Sequence, residues 1–116
     1  NPPAYPAGSA ALQRVAFPDI APVVLAVPPA DAFRRVDEVA MTLGWDVVAR
    51  APAEGRLEAV ATSRWFGFRD DIVVRIRPQG SGSRIDIRSK SRLGESDFGA
   101  NAQRIRAFSE RLRTEP

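Results

Sequence analysis

DIVVRIR (residues 71–77), PQGSG (78–82) and SRIDIRSKS (83–91) form the stretch that decides the fold. Ile72, Val74 and Ile76 recur at every second position, with Asp71, Val73, Arg75 and Arg77 between them. A strand turns successive side chains to opposite faces, so this spacing predicts one apolar face and one charged face. Gln79-Gly80-Ser81-Gly82 is a turn signal. Beyond it Ile85 and Ile87 alternate with Arg84, Asp86 and Arg88. Two alternating runs about a Gly-rich turn predict an antiparallel hairpin, greasy on one side and charged on the other.

Upstream, residues 45–50 and 56–62 alternate in the same way, joined by APAEG (51–55) as a hairpin loop. PVVLAV (22–27) is a short apolar run between prolines and predicts a further strand. Pro28 and Pro29 open a helix, because proline is tolerated in a first turn that has no use for its missing N–H. Phe33, Val36, Ala40 and Leu43 follow at helical spacing, and Gly44 stops the helix. Downstream, Ser96 reads as the N-cap of a last helix, with Asp97 favoured in its first turn by the helix dipole. Phe98, Ala102, Ile105, Phe108 and Leu112 form its apolar stripe. The order is β-α-β-β-β-β-α. The expected fold is α+β, an antiparallel sheet of about five strands with two helices packed on one face.

Seven of the ten prolines fall between Pro2 and Pro29, so residues 1–21 read as a Pro-rich arm or linker ahead of a single domain at 22–116. Phe17 and Ile20 are expected to dock on that domain. The chain begins at Asn1 rather than Met, and the expectation is a trimmed fragment. No run is long enough for a transmembrane helix, and no signal peptide is read.

The chain has 116 residues, 44% hydrophobic and 27% charged, which suits one globular domain. It has no Cys, so no disulfide and no thiol chemistry. It has no His, which removes the usual general base near neutral pH and the commonest metal ligand. Catalysis would have to run on Asp, Glu, Lys, Tyr or Arg. Net charge is +3, and sixteen of seventeen cations are Arg, Lys90 being the exception. Arginine forks onto phosphate and carboxylate. The acidic residues are interspersed with the arginines and no nucleic-acid fingerprint is present, so nucleic acid is not an expected partner.

Three clusters carry unusual polar residues. Glu58, Arg75 and Asp86 are placed to pair across strands and keep the charged sheet face soluble. RWFGFRDD (64–71) sets Trp65, Phe66 and Phe68 around Gly67, either folded onto the core or exposed as an aromatic lip. Asp70 and Asp71 resemble half a metal site, but adjacent strand residues point to opposite faces and do not clasp one ion. In residues 88–104, Arg88, Lys90 and Arg92 share one strand face, Ser89 and Ser91 the other, and the chain runs on into a helix N-terminus that attracts anions. Arg88, Arg92 and Arg104 are expected to converge there on an anion. Equally, Arg92 or Arg104 paired with Asp97 makes a closed structural network. The residues alone leave both readings open.

DDIVVRIRP (70–78), DIRSKSR (86–92) and GESDFGANAQRI (94–105) resemble a bacterial family known as domain of unknown function 1499. The likeness extends through FPDIAP (17–22), LGW (43–45) and GRLEAVAT (55–62), and covers roughly residues 15–112. The resemblance brings no activity. It implies an envelope protein with a membrane or lipid anchor upstream, hence a periplasmic or membrane-proximal place facing the periplasm. The family's polar positions fall on Asp70, Asp71, Arg75, Asp86, Arg88, Ser89, Ser91, Arg92, Ser96, Asp97, Asn101 and Arg104.

The expected function is a non-catalytic binding or interaction module for an anionic small molecule or lipid head group, with an envelope protein as a further partner and with no cofactor and no metal. The expected ligand-binding residues are Arg88, Ser89, Ser91, Arg92, Ser96, Asp97, Asn101 and Arg104, with Trp65 as an apolar wall and Asp70 and Asp71 beside it. The alternatives are a small hydrolase-like enzyme working with Asp and Arg, and a structural protein–protein assembly domain.

Overall fold

The computed structural model describes residues 21–62, 69–91 and 98–114. β1 (Val23–Leu25) is followed by α1 (Pro29–Thr42), then β2 (Asp46–Ala51), β3 (Arg56–Thr62), β4 (Arg69–Gln79) and β5 (Gly82–Ser91), and α2 (Phe98–Thr114) closes the chain. The order expected from the sequence is the order observed. All pairings are antiparallel, and the sheet runs β1-β5-β4-β3-β2. β1 and β2 are therefore the two edges, and α1 must cross the whole sheet between them. Four strand spacings of about 4.8 Å span about 19 Å, and a helix of 14 residues reaches about 21 Å. The helix length matches the width it bridges.

Both ends of α1 follow from its sequence. Pro29 occupies the first turn, and Pro28 accepts the Ala32 N–H at 2.9 Å. At the far end Gly44 has φ 81°, its N–H reaches the Met41 carbonyl at 3.0 Å, and the Trp45 N–H reaches the Ala40 carbonyl at 3.0 Å. That pair of bonds is the Schellman arrangement, which needs a left-handed residue after the helix. Trp45 is thereby turned inward, where its ring stacks on Phe108 of α2 with centroids 5.3 Å apart. The core fills the space between the helices and one sheet face. Val36, Ala40, Leu57, Val74 and Phe108 are fully buried there.

Alternation holds along the hairpin. Asp70, Ile72, Val74 and Ile76 are buried, whereas Asp71, Arg75 and Arg77 are exposed. Pro78 interrupts β4 without breaking a ladder. The Ile76 N–H points away from β5 to the Gly55 carbonyl at 2.7 Å, and two residues on the same direction looks past the end of β3, whose pairing stops at Arg56 opposite Arg75. Gly55 itself has φ 67°, and a Cβ there would lie 2.1 Å from the Ile76 carbonyl oxygen, so only glycine fits.

Two features depart from the simple alternation. β2 carries a bulge at Val48, between the pairs Val47–Ala59 and Ala49–Glu58, and Val48 is exposed. The bulge returns Arg50 to the helix side, where its guanidinium grips Asp37 of α1 at 2.8 and 3.1 Å. The hydrogen bonds to Asp37 hold Arg50 above its usual range. At the other edge Ser83 is fully buried and donates to the Val27 carbonyl at 2.7 Å, tying the exit of β1 to β5. Among the described residues, no helix is long and apolar enough to cross a membrane.

Candidate functional site

Even-numbered residues of β4 and odd-numbered residues of β5 face the helices. At the open end of the hairpin this rule brings Asp70 and Ser89 against α2, where Asn101 and Arg104 lie three residues apart on one side of the helix. Arg104 Nη1 sits 2.7 Å from Asp70 Oδ2, 3.1 Å from Ser89 Oγ and 3.0 Å from Asn101 Oδ1. Ser89 Oγ in turn donates to Asn101 Oδ1 at 2.6 Å. Asp70 and Asn101 are only 7% and 6% exposed. A buried carboxylate is costly unless a cation and further donors meet it. Here the cation comes from α2, and the serine hydroxyl and the amide oxygen accept from the same guanidinium nitrogen. Among the described residues, these four side chains form one connected network.

The sequence reading of this corner is thus divided by the fold. Ser89, Asn101, Arg104 and Asp70 come together. The partner of Arg104 is Asp70, which the reading had not paired with it. Arg88 does not converge with Arg104, because adjacent residues of β5 face opposite sides, and Arg88 projects with Lys90 from the outer face. Asp71 likewise faces out while Asp70 faces in. Ser91 lies opposite Asp70 in the strand register. Trp65, Arg92, Ser96 and Asp97 lie outside the described residues, as do Phe17 and Ile20. Among the described residues, no group of three carboxylates or other metal ligands is found.

The outer face holds a different arrangement. The β4–β5 register sets Arg77 opposite Arg84, Arg75 opposite Asp86, Val73 opposite Arg88 and Asp71 opposite Lys90. A groove of about 630 Å³ opens over the first three of these pairs, lined by Val73, Arg75, Arg77, Arg84, Asp86, Ile87 and Arg88. Four guanidinium groups face one carboxylate there. Asp86 is engaged by Arg84 of its own strand at 3.2 Å. Glu58 goes to Arg56, also on its own strand, at 3.1 Å, and Arg56 takes Glu54 as well at 3.3 Å. The expected chain of cross-strand pairs through Glu58, Arg75 and Asp86 is therefore replaced by pairs within strands. Among the described residues, Arg75, Arg77 and Arg88 make no ion pair.

Register adds a second peculiarity. Arg77 lies directly opposite Arg84, and Arg56 directly opposite Arg75. Like charges facing each other across a sheet destabilise it. Arg77 and Arg84 were read in the sequence only as outward residues. The signal that marks them is the combination of outward parity with hairpin register, visible once the turn is centred on Gly80 and Ser81.

No curated protein matches the chain. The family model described as protein of unknown function (DUF1499) matches residues 1–112, from the Pro-rich arm through all but the last residues of α2. The chain, with its Asp70–Arg104 corner and its open arginine face, belongs to the DUF1499 family of proteins of unknown function.

Proposed function

We propose that the chain is a non-catalytic binding module that takes an anionic ligand in the groove on the outer face of its sheet. The observation that carries this reading is the groove of Arg75, Arg77, Arg84 and Arg88, in which three of the four cations have no ion-pair partner among the described residues. A guanidinium offers a rigid fork of donors suited to phosphate or carboxylate. Arg88 is retained from the sequence-predicted site. Arg104 drops out, because Asp70, Ser89 and Asn101 hold its guanidinium on the helix side of the sheet, opposite the groove. The proposed place of action is the bacterial envelope, close to the membrane, and its support is what the family resemblance implies. The ligand is then a phosphorylated small molecule or an acidic lipid head group, which share the same chemistry. Catalysis on Asp70 draws no support, since its carboxylate is held in an ion pair.

A thermal-shift series tests the reading, because a ligand that binds only the folded chain raises its melting temperature. Inorganic phosphate at low ionic strength is expected to raise it, and Arg88→Ala combined with Arg77→Ala to remove the shift. Arg113→Ala, an exposed position of α2, is expected to leave it intact. Co-flotation with vesicles containing phosphatidylglycerol, against vesicles of phosphatidylcholine alone, separates the lipid source from the soluble one. A shift that survives the double substitution would sink the groove as the site. Self-association with no response to any anion would favour the assembly reading.

A further inference from the structure

The geometry points to a ligand with two anionic groups about 10 Å apart, each held by its own pair of arginines. The inference rests on the proposed anion site and specifies its ligand. Arg77 and Arg84 are directly opposed, with Cβ atoms about 5 Å apart, and form one clamp at the turn end of the groove. Arg75 and Arg88 form the second. Arg75 faces Asp86, and Arg88 lies two residues beyond, so the two are diagonal neighbours about 7–8 Å apart, within the reach of long side chains. The midpoint of the first clamp is at the 77–84 pair, and that of the second at the 74–87 pair. Three residues of strand separate them, about 10 Å.

Asp86 makes two centres out of what would otherwise be one. It stands between the clamps, and its hydrogen bonds to Arg84 at 3.2 and 3.4 Å fix it there. A single compact anion in the middle of the groove would meet this carboxylate. Two anions at the ends avoid it. The floor beneath the second clamp is Val73, half-buried and opposite Arg88 in the register. An apolar floor suits the span that links two charged groups better than it suits a charge. The ligand class is therefore a bis-phosphorylated molecule whose two phosphates are joined by an uncharged span.

Calorimetric titration of the full chain with alkanediol bisphosphates of increasing linker length, against monophosphate, tests this at low ionic strength. Monophosphate and methylene bisphosphonate are too short to reach both clamps, and hexanediol bisphosphate is long enough. Joining two weak contacts typically raises affinity by 10²–10⁴, so hexanediol bisphosphate is expected to bind at least about 100-fold more tightly than monophosphate. Either double substitution, Arg77→Ala with Arg84→Ala or Arg75→Ala with Arg88→Ala, is expected to bring hexanediol bisphosphate down to within about tenfold of monophosphate. Melting temperatures of the variants check that they remain folded. A length preference that persists in both variants would overturn the two clamps. So would monophosphate binding that is lost in the variants but shows no step with length, though the anion site itself would then stand. If no phosphate binds, both readings fall.

Discussion

Removing the Arg104 side chain strips the Asp70 carboxylate, buried in β4, of its guanidinium. Loss of one partner of a buried ion pair costs about 3–5 kcal/mol. Arg104→Ala should therefore lower the melting temperature by at least about 12 °C in a domain of this size. Replacing both members together, Asp70→Val with Arg104→Met, should recover most of that loss, because no charge is then left buried. If Arg104 instead served a ligand, Arg104→Ala would melt normally and fail only in binding. The burial of Asp70 was legible in the sequence, since it shares parity with Ile72, Val74 and Ile76. Its partner was not. Periodicity says which way a side chain points, but not which helix residue it meets, and Asp97 was the nearer candidate along the chain.

The hairpin of β4 and β5 is where sequence and structure agree most closely, because two faces of different polarity leave one arrangement that buries the apolar set. The groove was harder to see. It depends on which arginine stands opposite which, and that is a property of two strands together. The opposed pair Arg77–Arg84 gives a prediction that separates a site from ordinary surface charge. Arg77→Glu turns a repulsive cross-strand pair into an attractive one, worth about 0.2–1 kcal/mol. The variant should melt slightly higher than the parent at low ionic strength, with the gain fading as salt screens the pair, and should lose phosphate binding. A variant that is both less stable and still able to bind would contradict the assignment. The bulge of β2 escaped the sequence reading for a simpler reason. Val47 and Val48 are both apolar, so nothing in the pattern marks which of them steps out of line.

Across the molecule, the strand and helix order was readable from the two periodicities, and the placement of both helices on one face followed from the single apolar side of the strands. The pairing of β1 with β5 was not, since some sixty residues separate Val23 from Ile85 and alternation carries no information about distant neighbours. The core joins these parts through Phe108, fully buried in α2 and stacked on Trp45 just beyond α1. Phe108→Ala should cost about 3–5 kcal/mol. Urea titrations followed by tryptophan fluorescence and by far-ultraviolet circular dichroism should show the same lowered midpoint, since one core serves both helices and the sheet. Separate midpoints would mean that α2 comes away independently of the sheet.

The two residues Gly80 and Ser81 govern more than a change of direction. β4 and β5 each give alternate side chains to the core and to the groove, so a slip of one residue in their pairing would exchange the two sets. Ile85 would move out among the arginines, and Arg84 would be driven in. A single inserted or deleted residue in this exposed turn would thus take away the fold and the binding face together. Substitutions on the outer face, by contrast, leave the pairing untouched. Over generations such a lineage can change what it holds by altering arginines one at a time, while the length of one small turn stays fixed.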